Sequence, residues 1–363
     1  MSARAPHASA ARRTVLVAHP GADLYGSDRV MLESVAGFVE AGWRVVVALP
    51  VTGPLVGELE RLGADVVRTR TAVLRRSALR PAGLLRFVAD VVTGAAHGVR
   101  LLRRVRPDAV YVSTVTLPLW MALARVVRRP LVCHVHEAEV SLPVWLRRLL
   151  MLPVLLSSTV VVNSEFTGTV LGSSLPRATR RAVVVHNAVP GPADTTPARV
   201  ALRDPLRLAY VGRLSPRKGV DVAVEAVGRL RDGGLDLRLD VVGDVFPGYE
   251  WFEAQLRERI AELDLADEVR LRGFHPVVWP FLADADVVVV PSVGEESFGN
   301  AAVEAVLAAR PVVVSATSGL SEAVAPYSSA REVPPGDPAA LAEAVRAVVG
   351  DWPAARGAAL VDA

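Results

Sequence analysis

This 363-residue sequence has one cysteine, one lysine and few aromatic residues, at 5%. The single cysteine, Cys133, excludes an internal disulfide framework and a multi-cysteine metal site, and it agrees with a reducing compartment. No apolar run reaches the roughly 18 to 20 residues that a membrane-spanning helix needs. The nearest, Leu149 to Val162, is broken by Pro153 and Ser157-Ser158 and reads as a helix followed by a strand. Met1 to Arg13 is Ala/Arg-rich but lacks the apolar stretch of a secretory signal, so a disordered leader and a cytoplasmic protein are expected. The absence of Gly-x-Gly-x-x-Gly argues against a dinucleotide oxidoreductase, and His136-Glu-Ala-Glu139 lacks the second His of a zinc protease motif. Asp284-Ala-Asp286 precedes a buried strand instead of ending one, so it reads as a helix end and not a metal site.

What is present is apolar and patterned. Hydrophobic residues make up 51%, and the length suits two α/β domains with full cores. Short Val-rich runs alternate with helical stretches: Thr14 to Ala18, Arg44 to Leu49, Ala109 to Val112, Leu131 to Val135, Thr159 to Val162 and Val183 to Val185. A second series follows at Arg207 to Val211, Leu237 to Val242, Val269 to Leu271, Val287 to Val290, Val312 to Val314 and Arg331 to Val333. This is the βαβ signature of two parallel sheets, each covered by helices. Asn187 to Pro205, with four prolines, reads as a linker with the boundary near residue 195. The expected division is a leader over 1–13, a Rossmann-like domain over 14–190, a linker over 191–205 and a second Rossmann-like domain over 206–363.

Charge is unevenly shared. Up to residue 190 there are 24 arginines against 12 acids, +12; after it, 17 basic residues face 26 acids, −9. Many arginines fall between Arg75 and Arg106 on apolar segments. That composition suits either an anionic membrane surface or acidic acceptor, or a solvated helix face.

Two strand-loop-helix segments carry chemistry. In Tyr210-Val-Gly-Arg-Leu-Ser-Pro-Arg-Lys-Gly219, Gly212 ends a strand, and Arg213 and Lys218 lie where ligands of open α/β sheets bind. Lys218 is the only lysine, and an ammonium acts as a point charge on a diphosphate where a guanidinium grips two oxygens. An exposed basic turn is the competing reading. In Pro291 to Val306, Glu304 sits among Ala301, Ala302, Val303, Ala305 and Val306, where a carboxylate is costly unless hydrogen-bonded, as by a ribose diol. The amides of Gly299, Asn300 and Ala301 open that helix and suit a phosphate.

Glu296 and Glu304, with seven residues between them, resemble the Glu-x7-Glu signature of the retaining glycosyltransferases of family 4, which adopt the GT-B fold. The resemblance extends to Gly-Arg-Leu-x3-Lys-Gly around Arg213 and Lys218, Gly243-Asp244, Arg272-Gly-Phe-His275, Ala285 to Ser292 and Pro335-Gly-Asp337. It implies two Rossmann-like domains facing across a cleft. Arg213 and Lys218 would hold the diphosphate and Glu304 the ribose. Glu296 would meet donor-sugar hydroxyls with amides near Phe298 and Gly299, and the turn with Phe274 and His275 would meet the base. Gly21 to Asp28, including Gly26, resembles the family's glycine loop near the donor phosphate, although such a loop is more often only a turn. His136-Glu137 resembles its His-acid pair facing the sugar; a structural His136 is equally admissible, and His134 belongs inside the sheet.

The implied activity is transfer of a sugar from a UDP- or GDP-sugar to an acceptor hydroxyl with retention, in polysaccharide or glycoconjugate assembly. No cofactor, divalent metal or nucleic acid is called for; the acceptor is expected to be a glycan or a lipid-linked molecule, and the protein to work in the cytoplasm, at the inner face of the membrane, which its basic first domain would touch. A nucleotide-sugar hydrolase or epimerase and a donor-binding protein without activity are the alternatives; a pyridoxal-dependent phosphorylase is disfavoured because the single lysine is committed. The ten residues after Pro353 are too few for the closing helices expected of this fold.

Overall fold

Valine-rich runs shielded on both faces form the centre of each sheet, because a parallel strand between two helical layers has no solvent face to mark with polar residues. The computed structural model describes residues 12–74, 81–138, 140, 142–246 and 248–363. They form two compact units, one within residues 1–185 and one made mainly of His186–Ala363. Met1 to Ala11, Arg75, Arg76, Arg80 and Glu139 lie outside the described residues.

The first unit holds β1 (Thr14–Ala18), β2 (Arg44–Leu49), β3 (Asp65–Arg68), β4 (Ala109–Val112), β5 (Leu131–Val135), β6 (Thr159–Val162) and β7 (Ala182–Val184). All pair in parallel, in the order β3-β2-β1-β4-β5-β6-β7. The second holds β8 (Leu206–Val211), β9 (Leu237–Val242), β10 (Val269–Gly273), β11 (Val287–Val290), β12 (Val312–Ser315) and β13 (Ala330–Val333), ordered β10-β9-β8-β11-β12-β13 and again parallel. Leu206, Leu208 and Tyr210 face one apolar cluster with Val287 and Val289, while Ala209, Val288 and Val290 face another. The period of two survives inside an unbroken apolar run.

β3 is the strand the sequence reading omits. It is a four-residue edge strand with Asp65 and Arg68 exposed, so it lacks the apolar run that marks its neighbours. Arg12 and Arg13, placed in the leader from sequence, are tied down: Arg12 Nε donates to Gly42 O at 2.9 Å and Arg44 N donates to Arg13 O at 2.8 Å. The proline-rich stretch 191–205 has no helix or strand, yet Ala198 is buried in the second unit's core, and Arg199 Nε donates to Asp286 at 2.8 Å. The last residues form the helix Trp352–Asp362, with Trp352 in the same core.

Candidate functional site

In both sheets the chain runs outward from one strand and then returns to its other side, between β1 and β4 and between β8 and β11. At such a switch point the loops after the two strands diverge and leave a crevice at the carboxyl edge. In the second unit those loops are Gly212 to Gly219 and Pro291 to Gly299. They are stitched together, since Val293 N and Gly294 N donate to Arg217 O at 2.9 and 3.0 Å. Gly219 has φ of 65°, and a Cβ there would lie 1.9 Å from Pro291 O, so only glycine permits the approach. Gly243 similarly lets its backbone pass Gly212 O, and its N donates to Gly273 O at 2.8 Å, bringing the Phe274-His275 turn to the same edge. Phe274 is exposed, and His275 Nε2 lies 3.2 Å from Arg272 O.

Glu296, only 6% exposed, is the focus of this edge. Its Oε1 accepts from Lys218 Nζ at 2.8 Å, Arg217 Nη1 at 2.9 Å and Ser292 Oγ at 2.9 Å. Burial drives the carboxyl pKa up, but the Lys218 and Arg217 charges outweigh it and hold the group below the usual carboxylate range. Behind the loop, the Tyr210 hydroxyl donates to Arg213 O at 2.9 Å, and burial pushes the phenol far up, so it stays a neutral donor. The Arg213 guanidinium lies 4.5 Å from the centre of the Phe246 ring.

Lys218 and Glu296 are thus joined in one ion cluster, with Arg213 on the same loop. Arg217 belongs to the cluster and was not singled out from sequence; amid so many arginines it looks like background, although its place beside Lys218 was a usable signal. Glu304 is buried on the helix Asn300–Leu307, one turn beyond Asn300 and on the same side. Gly299, with φ of 132°, precedes that helix, and Ala301 packs on the core beneath. Phe298 is buried and stacks on His186 at 5.4 Å, and Asn300 Oδ1 accepts from Asn187 Nδ2 at 2.8 Å.

The switch point of the first unit holds a network that sequence reading missed. Buried His19, just past β1, bridges Ser113 Oγ at 2.6 Å and Asp28 Oδ1 at 2.7 Å, and Asp28 Oδ2 accepts from Tyr25 N at 2.8 Å. The glycine loop is therefore pinned at both ends. A Cβ on Gly26 would meet nothing within 4 Å, so packing does not explain that glycine. His136 lies against His134, ring centres 3.8 Å apart, and its buried Nε2 has no hydrogen-bond partner among the described residues. Burial, with charges on His134 and His19, lowers its pKa well below the usual value and keeps the ring neutral. Glu137 accepts from Thr114 Oγ1 and, at 3.1 Å, from His136 N. Asp284 and Asp286 are taken up by arginines, Asp286 by Arg199 and Asp284 by Arg207 and Arg238.

Comparison with known proteins follows this division of the chain. The Glycosyltransferase Family 4 description matches residues 25–190, and Glycosyl transferases group 1 matches 205–351. A 2-deoxystreptamine glucosyltransferase of Streptomyces kanamyceticus is 35% identical over 204 residues, covering 53% of this chain and 51% of that protein. The amylovoran biosynthesis glycosyltransferase AmsK of Erwinia amylovora is 38% identical over 151 residues, covering 40% and 36%. The chain therefore spans about half or less of the curated relatives it matches. Among solved structures, Anabaena HepE in complex with UDP and glucose superposes with a TM-score of 0.78 at 21% identity, covering 95% of this chain and 92% of that one. With two parallel sheets in the GT-B arrangement of strands and family matches over both units, the chain belongs to the family 4 glycosyltransferases.

Proposed function

We propose that the protein transfers a sugar from a UDP- or GDP-sugar to a hydroxyl of a glycan or lipid-linked acceptor, with retention at the anomeric carbon and without a divalent metal. The observation that carries this reading is the Lys218-Glu296-Arg217 cluster at the β8/β11 switch point, beside Arg213 and the start of the helix Asn300–Leu307. Departure of the diphosphate develops negative charge, and cations and helix amides already in position stabilise it more in the transition state than in the ground state. Glu296 holds the Lys218 ammonium at the loop and offers its carboxylate to sugar hydroxyls. Glu304 accepts from the ribose, Gly212 and Gly243 let the backbone approach the phosphates, and Phe274 and His275 meet the base. His136, kept neutral by burial, donates to or accepts from an uncharged sugar hydroxyl. Attack comes from the face the diphosphate leaves, and the departing phosphate takes the acceptor proton.

The relatives named for glucosyl transfer and for amylovoran synthesis support a hexose donor and a role in polysaccharide or glycoconjugate assembly, and the basic first unit supports contact with an anionic membrane. With purified donor and acceptor, Lys218→Ala and Arg213→Ala are expected to lower turnover by about two to three orders of magnitude. Unchanged turnover in both would sink the phosphate assignment. Turnover without acceptor would instead favour a hydrolase or epimerase, and nucleoside diphosphate binding without transfer a donor-binding protein.

A further inference from the structure

Aromatic residues are scarce in this chain, yet exposed ones gather at one place in the second unit. Of the five exposed phenylalanine, tyrosine and tryptophan side chains among the described residues, four follow β9 or β10: Phe246, Tyr249, Trp251 and Phe274. Exposed rings in a group mark a surface with a use. For Phe246 that use is visible in what the ring touches.

The backbone explains how the ring is held. Gly243, whose Cβ would lie 1.9 Å from Gly212 O, brings the loop after β9 against the loop after β8. The two then run side by side, with Gly212 N donating to Val242 O at 2.9 Å and Leu214 N to Asp244 O at 3.0 Å. The Asp244 carboxylate accepts from Val245 N at 2.7 Å. Tyr249 N donates to Phe246 O at 2.8 Å and closes a turn, and Gly248 N donates to the Glu250 carboxylate at 2.9 Å. Tyr249 stacks on Trp251, ring centres 6.1 Å apart, and Trp251 meets the buried Phe252 edge-on at 5.7 Å, which anchors the turn to the core.

On the β8 side, the Tyr210 hydroxyl fixes the Arg213 carbonyl at 2.9 Å, but the guanidinium stands at the end of a long side chain that a fixed backbone does not place. Its central carbon lies over the Phe246 ring, 4.5 Å from the centre, within the range at which a ring face attracts a cation. Glu296 holds Lys218 and Arg217 by charge and thereby offsets part of theirs. A ring fixes the head of Arg213 without adding a negative charge beside it.

We propose that Phe246 is a positioning residue for the donor: its ring orders the Arg213 guanidinium at the carboxyl edge before a diphosphate arrives. The cation is then in place both for binding and for the charge that develops as the diphosphate departs. The inference rests on the donor site proposed above and adds to it a residue that acts through Arg213.

Calorimetric titration of the whole protein with UDP and with GDP tests it in a double-mutant cycle. For whichever nucleotide binds more tightly, Phe246→Leu is expected to weaken binding about five- to tenfold, and Phe246→Tyr, which keeps the ring, less than twofold. In an Arg213→Ala background the same Phe246→Leu change should alter affinity less than twofold, because the group it positions is gone. Leucine keeps the apolar bulk at a partly exposed site, so the melting temperature of Phe246→Leu without nucleotide should match wild type. An equal loss with and without Arg213 overturns the proposal, since the ring would then act on the ligand or the fold directly. Unchanged affinity in Phe246→Leu, or a tyrosine variant as weak as the leucine one, overturns it too. Each of these results leaves the donor site standing, whereas wild type that binds neither nucleotide overturns the donor site and this inference together.

Discussion

Three donors converge on one carboxylate oxygen of Glu296, and this crowding sets what single substitutions will do. Lys218→Met removes the nearest charge but leaves Arg217, so the expected loss of stability at neutral pH is about 1 to 3 kcal/mol, below the cost of orphaning a buried carboxylate entirely. Because the carboxyl pKa is depressed in the fold, its contribution is present above the unfolded value and is lost as pH falls through the folded one. The difference between wild type and Lys218→Met in thermal unfolding should therefore shrink below about pH 4. A difference that grows in acid would contradict the ion-pair account. His134 titrates in another window: burial lowers it to about 4. As pH falls from about 6.5, the unfolded chain binds a proton there that the fold refuses, so stability drops by up to about 1.4 kcal/mol per pH unit for this group. Denaturant titrations of wild type and His134→Gln across that range should show the variant with the flatter slope. Lys218 was legible from composition alone, as the one lysine among arginines. His19 was not, because its partners Asp28 and Ser113 are brought to it by separate strands and a helix.

At the scale of elements, the two loops of the second unit act as one piece. Arg217 O takes both amides of Val293 and Gly294, and Gly219 lies against Pro291 O. Gly219→Ala should therefore do more than strain one residue. It is expected to cost about 2 kcal/mol or more and lower the melting temperature by several degrees in calorimetry, with Glu296 losing its alignment and donor affinity falling in parallel. An unaltered melting temperature would show that the loops are not coupled. The Pro335-Gly-Asp337 motif, part of the family resemblance, has a local cause: Asp337 Oδ1 caps the helix Pro338–Gly350 by accepting from Ala339 N and Ala340 N at 2.9 Å each. Strands with apolar runs were readable because burial on both faces writes itself into consecutive residues. β3 was not, because an edge strand is half solvated and half specified by its neighbour.

At the scale of the whole molecule, the charge division, +12 up to residue 190 and −9 after it, coincides closely with the division into units. The Lys218-Glu296-Arg217 cluster is thus a local concentration of cations within an acidic unit. Hydrogen exchange read by mass spectrometry should accordingly slow in 212–219 and 291–304 on adding UDP or GDP and remain unchanged in 144–158. Slowing confined to the first unit would misplace the donor site. At a hundredfold excess over the dissociation constant, the ligand should stabilise the protein by about 2.7 kcal/mol. The sequence by itself determined the two parallel sheets, the loops that follow their strands and the residue types those loops carry, because period, turn chemistry and composition are local. Only the tertiary structure decided that Arg217 joins Lys218 on Glu296, that His19 sits between Asp28 and Ser113, and that the proline-rich stretch after His186 is part of the second core. Strand order brings distant segments within hydrogen-bond reach, and that proximity leaves no mark in spacing along the chain.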